Sequence, residues 1–268
     1  METKVSTHKI ALLIDGDNAN SKLIQQVINE AAKFGRVTIK RIYGDWTDDK
    51  LRGWKEKLNE FAIRPIQKFA YTTGKNSTDT ALIIDAMDMM HAKLVEGFCI
   101  VSSDSDYTGL AHRIREEGFY IMGIGKSQTP RAFIKSCENF IYEEILDNTE
   151  KVHDEIRKEK KFQPETPILP TPKVIGKINL ERFTNKVTKK PFDISVVDDA
   201  YNMAVDELSN LALASKLSDA IRKIDSSFDI RNYGFNSFKK FLEELKPRYE
   251  IVMGRDNNTT MYIQRKEK

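Results

Sequence analysis

Cysteine and histidine are scarce in this chain, with two of the first and four of the second among 268 residues. Cys99 and Cys137 stand in apolar or helical contexts and read as buried thiols of a reducing compartment. His8, His91, His112 and His153 are scattered and offer no zinc-ligand spacing, so a metal bound here must be held by oxygen. No apolar run approaches the roughly 18 residues that span a bilayer; the longest, such as Ile10–Ile14, has the length of a strand. The opening METKVSTHK runs into that strand without the apolar stretch of a secretory signal. The expectation is a cytoplasmic protein with no membrane partner. A glycine-rich phosphate loop is also lacking, since Gly123-Ile-Gly125 is only a fragment of a dinucleotide fingerprint. There are no internal repeats.

Charge, by contrast, is plentiful. The 43 basic and 40 acidic residues give a net of +3, unevenly spread. Residues 151–192 carry 11 basic against 5 acidic residues, a net of +6, which leaves 32 against 35, or −3, elsewhere. A basic connector on an acidic body points to a polyanionic partner, although a solvated linker accounts for the same charge. Pro164, Pro167, Pro170 and Pro172 fall in that stretch and favour extended, solvated backbone.

Before it, strand and helix signals alternate. Strands are predicted at Ile10–Ile14, Val37–Tyr43, Ile63–Phe69, Phe98–Ser102 and Phe119–Ile124, separated by helices. An apolar stretch, Phe140–Leu146, closes the unit. This alternation defines an α/β domain of three layers, a parallel sheet with helices on both faces. After the prolines, three apolar helix faces are predicted: Val197, Ala200, Tyr201, Ala204, Val205 and Leu208; then Leu213, Leu217, Ala220, Ile221 and Ile224; then Phe238, Phe241, Leu242 and Leu245. A terminal hairpin, Tyr249–Met253 with Met261–Gln264, makes the second unit a small winged helix-turn-helix. The domain boundaries expected are 8–147, a linker over 148–192, and 193–268.

Ligands of open α/β sheets bind beyond the carboxyl ends of the strands, and three such transitions here carry aspartate. The first strand ends in Asp15 and Asp17, the fourth leads to Asp104 and Asp106, and the loop after the third leads to Asp79. On the helix that follows, Ile83, Ala86 and Met90 lie within about 40° of Asp79 at about 100° per residue, so Asp79 heads the apolar stripe. Asp85 and Asp88 point the other way and are expected to be solvated, with at most a supporting part for Asp85. Clustered carboxylates repel and need a cation, for which Mg²⁺ or Mn²⁺ is the natural candidate. Asp15, Asp79 and Asp104 are read as ligands, and Asp106 as a ligand directly or through water. Asp17 and Asn18 would orient water or a scissile phosphate, and Lys75 would bind substrate phosphate. Each aspartate alone has an ordinary role, Asp15-Gly as a turn and Asp104 as a helix cap; the signal lies in the set. A phosphatase of the haloacid-dehalogenase type is an alternative, since Asp15-Gly-Asp17 imitates its nucleophile motif. Asn18 and Ala19 follow where that motif wants an apolar residue and then Thr or Val.

Leu13-Ile-Asp15-Gly-Asp17-Asn18, Asp79-Thr-Ala-Leu-Ile-Ile-Asp85, Val101-Ser-Ser-Asp104-Ser-Asp106-Tyr and Gly118-Phe-Tyr-Ile-Met-Gly resemble an NYN domain of the LabA-like (DUF88) group over about residues 8–146. The resemblance implies a PIN-like fold and Mg²⁺- or Mn²⁺-dependent cleavage of RNA, with Asp15, Asp79, Asp104 and Asp106 at the acidic positions. Tyr107 departs from the Phe often found there. Residues 193–265, with Tyr233-Gly-Phe235-x-Ser237-Phe238 at their centre, resemble a LOTUS (OST-HTH) domain. That resemblance implies binding of RNA, G-rich RNA included, or of a protein partner such as a helicase. Arg231, Lys239, Lys240 and Arg255 are candidate phosphate contacts. Tyr233 is either a packed core aromatic, the favoured reading, or a base-stacking platform, and Lys239 and Lys240 are equally readable as a solvated helix face. The expectation is a metal-dependent endoribonuclease acting on single-stranded or structured RNA, with an oligomer left open. The alternative is a non-catalytic RNA-binding scaffold that keeps the acidic pocket.

Overall fold

The strand Lys9–Asp15, β1, is apolar at every step from Ile10 to Ile14 because both of its sides are covered. Side chains alternate across a strand: Ala11 and Leu13 enter one core, while Ile10, Leu12 and Ile14 enter another. The computed structural model describes residues 8–69, 77–147, 192–206, 208–254 and 260–266. The expected linker, apart from Phe192, lies outside these, as do Lys75 and Arg255.

Five further strands flank β1: β2 (Arg36–Gly44), β3 (Arg64–Gln67), β4 (Gly97–Val101), β5 (Tyr120–Gly125) and β6 (Asn139–Tyr142). Their order is β3-β2-β1-β4-β5-β6, and every adjacent pair is parallel. The apolar stretch read as closing the unit thus begins with a sixth strand. Helices α1 (Ile24–Ala32) and α2 (Lys55–Glu60) cover one face through Ile24, Val27, Ala31 and Leu58. Helices α3 (Ser77–His91), α4 (Thr108–Glu116) and α5 (Arg131–Ser136) cover the other, through Leu82, Ala86, Met90, Leu110, Ile114 and Phe133. Three layers result, as expected. The chain leaves β1 and β2 for one face, and β3, β4 and β5 for the other. Strand order therefore reverses between β1 and β4, and a crevice opens at their carboxyl ends.

The stripe on α3 is as predicted: Ala86 and Met90 are buried, Ile83 packs on the same core, and Asp88 is exposed; Leu82 is buried beside them. Asp85 differs from its expectation. It is half-buried and accepts hydrogen bonds from the Arg41 guanidinium and the Tyr43 hydroxyl. Tyr43 is fully buried on β2, and a buried phenol requires a partner for its hydroxyl. Helix periodicity on α3 alone does not report a donor arriving from another element.

The C-terminal part holds α6 (Ile194–Ala204), β7 (Val205–Asp206), β8 (Leu211–Leu213), α7 (Ala214–Ile224), α8 (Phe238–Glu244), β9 (Tyr249–Met253) and β10 (Met261–Arg265). The strands form one antiparallel sheet, β7-β8-β10-β9. The order is helix, strand pair, helix, helix, strand pair, so the C-terminal part combines helices with an antiparallel sheet. Two details depart from the predicted helix faces. Val205 and Leu213 lie in strands, and Leu208 is fully exposed. The cause is a turn built on Asp206, whose Oδ1 accepts from the backbone of Leu208 and Ser209 and from the Ser209 hydroxyl. By contact the chain divides into two compact units, Met1–Leu146 with Ser218–Phe228, and Asp147–Leu217 with Asp229–Lys268.

Candidate metal centre

Asp15 ends β1 on the parity of Ala11 and Leu13, so its side chain emerges on the face covered by α3 and α4. It is 1% exposed. Burial of a carboxylate costs several kcal/mol unless donors compensate it, and three do. Asp15 Oδ1 accepts from the Asp17 backbone N–H at 3.2 Å, and Oδ2 from Asn18 Nδ2 at 2.7 Å and from the Ser102 hydroxyl at 2.9 Å. Gly16 follows because a Cβ there would stand 2.7 Å from the Tyr43 carbonyl.

Ser102, just past β4, is also 1% exposed. While donating to Asp15, its hydroxyl accepts from the Asp104 backbone N–H at 3.0 Å. One hydroxyl thus joins the end of β1 to the loop that carries Asp104. The close approach of β5 on its other side depends on Gly125, where a Cβ would lie 2.4 Å from the Ser102 carbonyl. Asp104 then caps the turn Ser105–Tyr107, its side chain accepting from the Asp106 N–H at 2.9 Å. The ordinary cap role and the candidate ligand role coexist in one residue.

Asp79, in the first turn of α3, completes the arrangement. Carboxylate oxygens of Asp79, Asp104 and Asp106 all lie within 4.8 Å of one another; Asp79 and Asp104 are half-buried and Asp106 is exposed. The Asp79 Oδ1 accepts from the Tyr107 hydroxyl at 2.7 Å. Asp17 meets the same helix start, its Oδ2 receiving the Thr78 hydroxyl at 3.4 Å. Burial and the neighbouring Asp104, Asp106 and Asp17 hold the Asp79 carboxyl above its usual range, against the lowering effect of Tyr107. Burial likewise raises Asp15, opposed by Asn18 and Ser102 and reinforced by Asp79 and Asp17. The Tyr107 phenol, buried beside Asp15 and Asp79, is pushed far up and remains a donor.

Of the four expected ligands, three converge and Asp15 stands outside their mutual set. Its Oδ2 accepts from both Asn18 and Ser102 and its Oδ1 from the Asp17 N–H, so Asn18 orients Asp15. Ser102 and Tyr107 were missed as site residues. The signal for Ser102 was parity, since it shares a face with Phe98 and Ile100. For Tyr107 it was a phenol at the head of an apolar helix stripe. Glu143, after β6, is a further buried carboxylate outside the acidic cluster. It is 7% exposed, raised by burial, and close enough to Lys126 and the Asn20 backbone to be partly offset.

The donor set fits a hard divalent cation. Ligands at roughly 2.0–2.6 Å from a common ion lie at most about 5 Å apart, and the three carboxylates meet that limit. They offer only oxygen, and the neighbouring Asp104 and Asp106 raise the cost of charge on Asp79.

In the C-terminal part, Arg231 is paired with Asp229 at 2.6 Å. Tyr233 packs edge-on against Phe192, with ring centroids 5.0 Å apart, and tilted against Phe241. Lys239 and Lys240 are exposed on α8. Tyr233 is therefore part of an aromatic cluster.

A parallel sheet in this order, with carboxylates gathered at its reversal point, defines an α/β fold with an acidic ligand site. The family model for the NYN domain matches residues 9–147, and the chain belongs to that family, a family of PIN-like nucleases. No curated protein is similar enough to match. Among solved structures, the chain is similar to a crystallised protein of unknown function from Vibrio parahaemolyticus RIMD 2210633, at 20% identity over 53% of this chain and 96% of that one, with a TM-score of 0.44. An uncharacterized protein from Nitrosomonas europaea, solved by NMR, is 16% identical over 40% of this chain and 91% of that one, with a TM-score of 0.27. Among the described residues, no helix is long and apolar enough to cross a membrane.

Proposed function

We propose that the chain is a metal-dependent endoribonuclease of the NYN family, with a C-terminal LOTUS-type winged helix that recruits RNA. The observation that carries this reading is the convergence of Asp79, Asp104 and Asp106 within 4.8 Å. Asp79 and Asp104 would hold Mg²⁺ or Mn²⁺, with Asp106 at the exposed rim. When bound, such an ion supplies Lewis-acid charge at a phosphodiester and lowers the pKa of coordinated water. The chain's own residues do the positioning. Asn18 and Ser102 fix Asp15 at the end of β1. Ser102 also sets the backbone from which Asp104 projects. Tyr107 fixes the carboxylate of Asp79. The exposed Lys239 and Lys240 are the phosphate contacts favoured for the winged helix, which adds affinity without sequence choice.

The test is cleavage of labelled single-stranded RNA, single-stranded DNA and duplexes by the purified full chain with Mn²⁺, beside Asp104→Asn. Metal-stimulated cleavage of RNA that is lost in the variant supports the reading. Equal cleavage by both proteins reveals a contaminating nuclease and discredits the site. RNA binding without turnover identifies the scaffold instead.

A further inference from the structure

Asp79 and Asp104 each have one oxygen engaged by the fold. Asp79 Oδ1 accepts from the Tyr107 hydroxyl at 2.7 Å, and Asp104 Oδ1 accepts from the Asp106 N–H at 2.9 Å. Neither donor is loosely held. Tyr107 is fully buried, and its ring packs against Phe133 at 6.3 Å between centroids. The Asp106 N–H belongs to the backbone of a capped turn. A cation that chelates both oxygens of Asp79 competes with the buried phenol for Oδ1 and weakens the hydrogen bond that the fold has built there.

Divalent ions differ in this demand. Ca²⁺ takes 6–8 oxygens and uses bidentate carboxylates freely, whereas Mg²⁺ is bound octahedrally at shorter distances through one or two carboxylates. We infer that Tyr107 is a positioning residue that holds Asp79 as a one-oxygen donor, and by doing so turns the cluster against calcium and toward small octahedral cations. The inference rests on the nuclease reading of the same cluster, and it assigns to Tyr107 a role in cation choice. The cap on Asp104 restrains the second carboxylate in the same sense, but through backbone that no side-chain substitution removes.

The experiment uses the full chain, stripped with chelator and then titrated with Mn²⁺ and Ca²⁺ separately by calorimetry. In parallel, the electron paramagnetic resonance signal of free Mn²⁺ is followed as Ca²⁺ competes. Wild-type protein is expected to prefer Mn²⁺, and Tyr107→Phe, which removes only the hydroxyl, to shift the ratio of affinities toward Ca²⁺ on the order of tenfold. An Asp104→Asn control assigns the binding to the cluster. An unchanged ratio in Tyr107→Phe that still binds Mn²⁺ overturns the inference, and so does wild-type binding of Ca²⁺ as tight as that of Mn²⁺. The wild-type arm decides even where the variant fails to fold. Absence of binding by either ion sinks the nuclease reading as well, whereas metal-dependent cleavage with an unshifted ratio removes only the role of Tyr107.

Discussion

Replacing Asp104 with asparagine removes a charge from the cluster without removing a helix cap. Asn and Asp cap equally well, and the acceptor that Asp104 offers to the Asp106 N–H persists in the amide oxygen. What changes is repulsion among carboxylates no more than 4.8 Å apart. Two unit charges at that separation repel by about 0.9 kcal/mol in bulk water and about 3.5 kcal/mol at an effective dielectric of 20. The cluster opens to solvent at Asp106, so screening brings the benefit of the substitution to about 1–2 kcal/mol. In chelator at pH 7.5, Asp104→Asn should therefore melt higher than wild type, by about 2–8 °C for a unit of this size.

With Mn²⁺ the order should reverse. An ion at a hundredfold excess over its Kd stabilises the native state by about 2.7 kcal/mol, and the variant forfeits most of this. Scanning calorimetry in chelator and in Mn²⁺ gives both arms. The sign with pH follows from the raised carboxyl of Asp79. The folded, metal-free state binds protons more tightly than the unfolded one, so its stability falls as pH rises above the ordinary carboxylate value of about 4. The advantage of the variant in chelator should open over that rise and close below it. A variant less stable than wild type in chelator would refute the repulsion.

Two further outcomes follow from the same contacts. Ser102→Ala strips a donor from buried Asp15 and an acceptor from the Asp104 N–H, which should cost about 2–4 kcal/mol by denaturant unfolding, and Ser102→Thr should recover part of it; a loss under 0.5 kcal/mol would show the bridge to be idle. Joint replacement of Lys239 and Lys240 by alanine should weaken RNA binding and lower the slope of log affinity against log salt by about 2, read by fluorescence anisotropy, whereas an unchanged slope would move the RNA contact elsewhere.

Much of the architecture was legible along the chain. The continuous run Ile10–Ile14 announces a strand buried on both sides, and the stripe Ile83, Ala86, Met90 announces a helix lying on a sheet. Those patterns also place Asp15, Asp79 and Asp104 at strand ends and a helix start, which is most of the candidate site. The fate of Asp85 was not legible. Its partners Arg41 and Tyr43 lie more than forty positions away on β2, and the helix carries no trace of them. Leu208 misled for a related reason. It keeps helical spacing with Tyr201 and Ala204, but the side chain of Asp206 satisfies the local backbone first and turns the chain out.

By itself the sequence determined most of the elements and the chemistry of the ligands they could offer, because periodicity reports burial and residue chemistry reports which ligands exist. It left no sulfur or imidazole cluster and placed carboxylates where the strands end. Only the tertiary structure decided which carboxylates meet. Asp79, Asp104 and Asp106 converge, while Asp15 is taken up by Asn18 and Ser102. That division depends on the order β1-β4 and on hydrogen bonds between residues up to 87 positions apart, distances set by packing that no local pattern encodes.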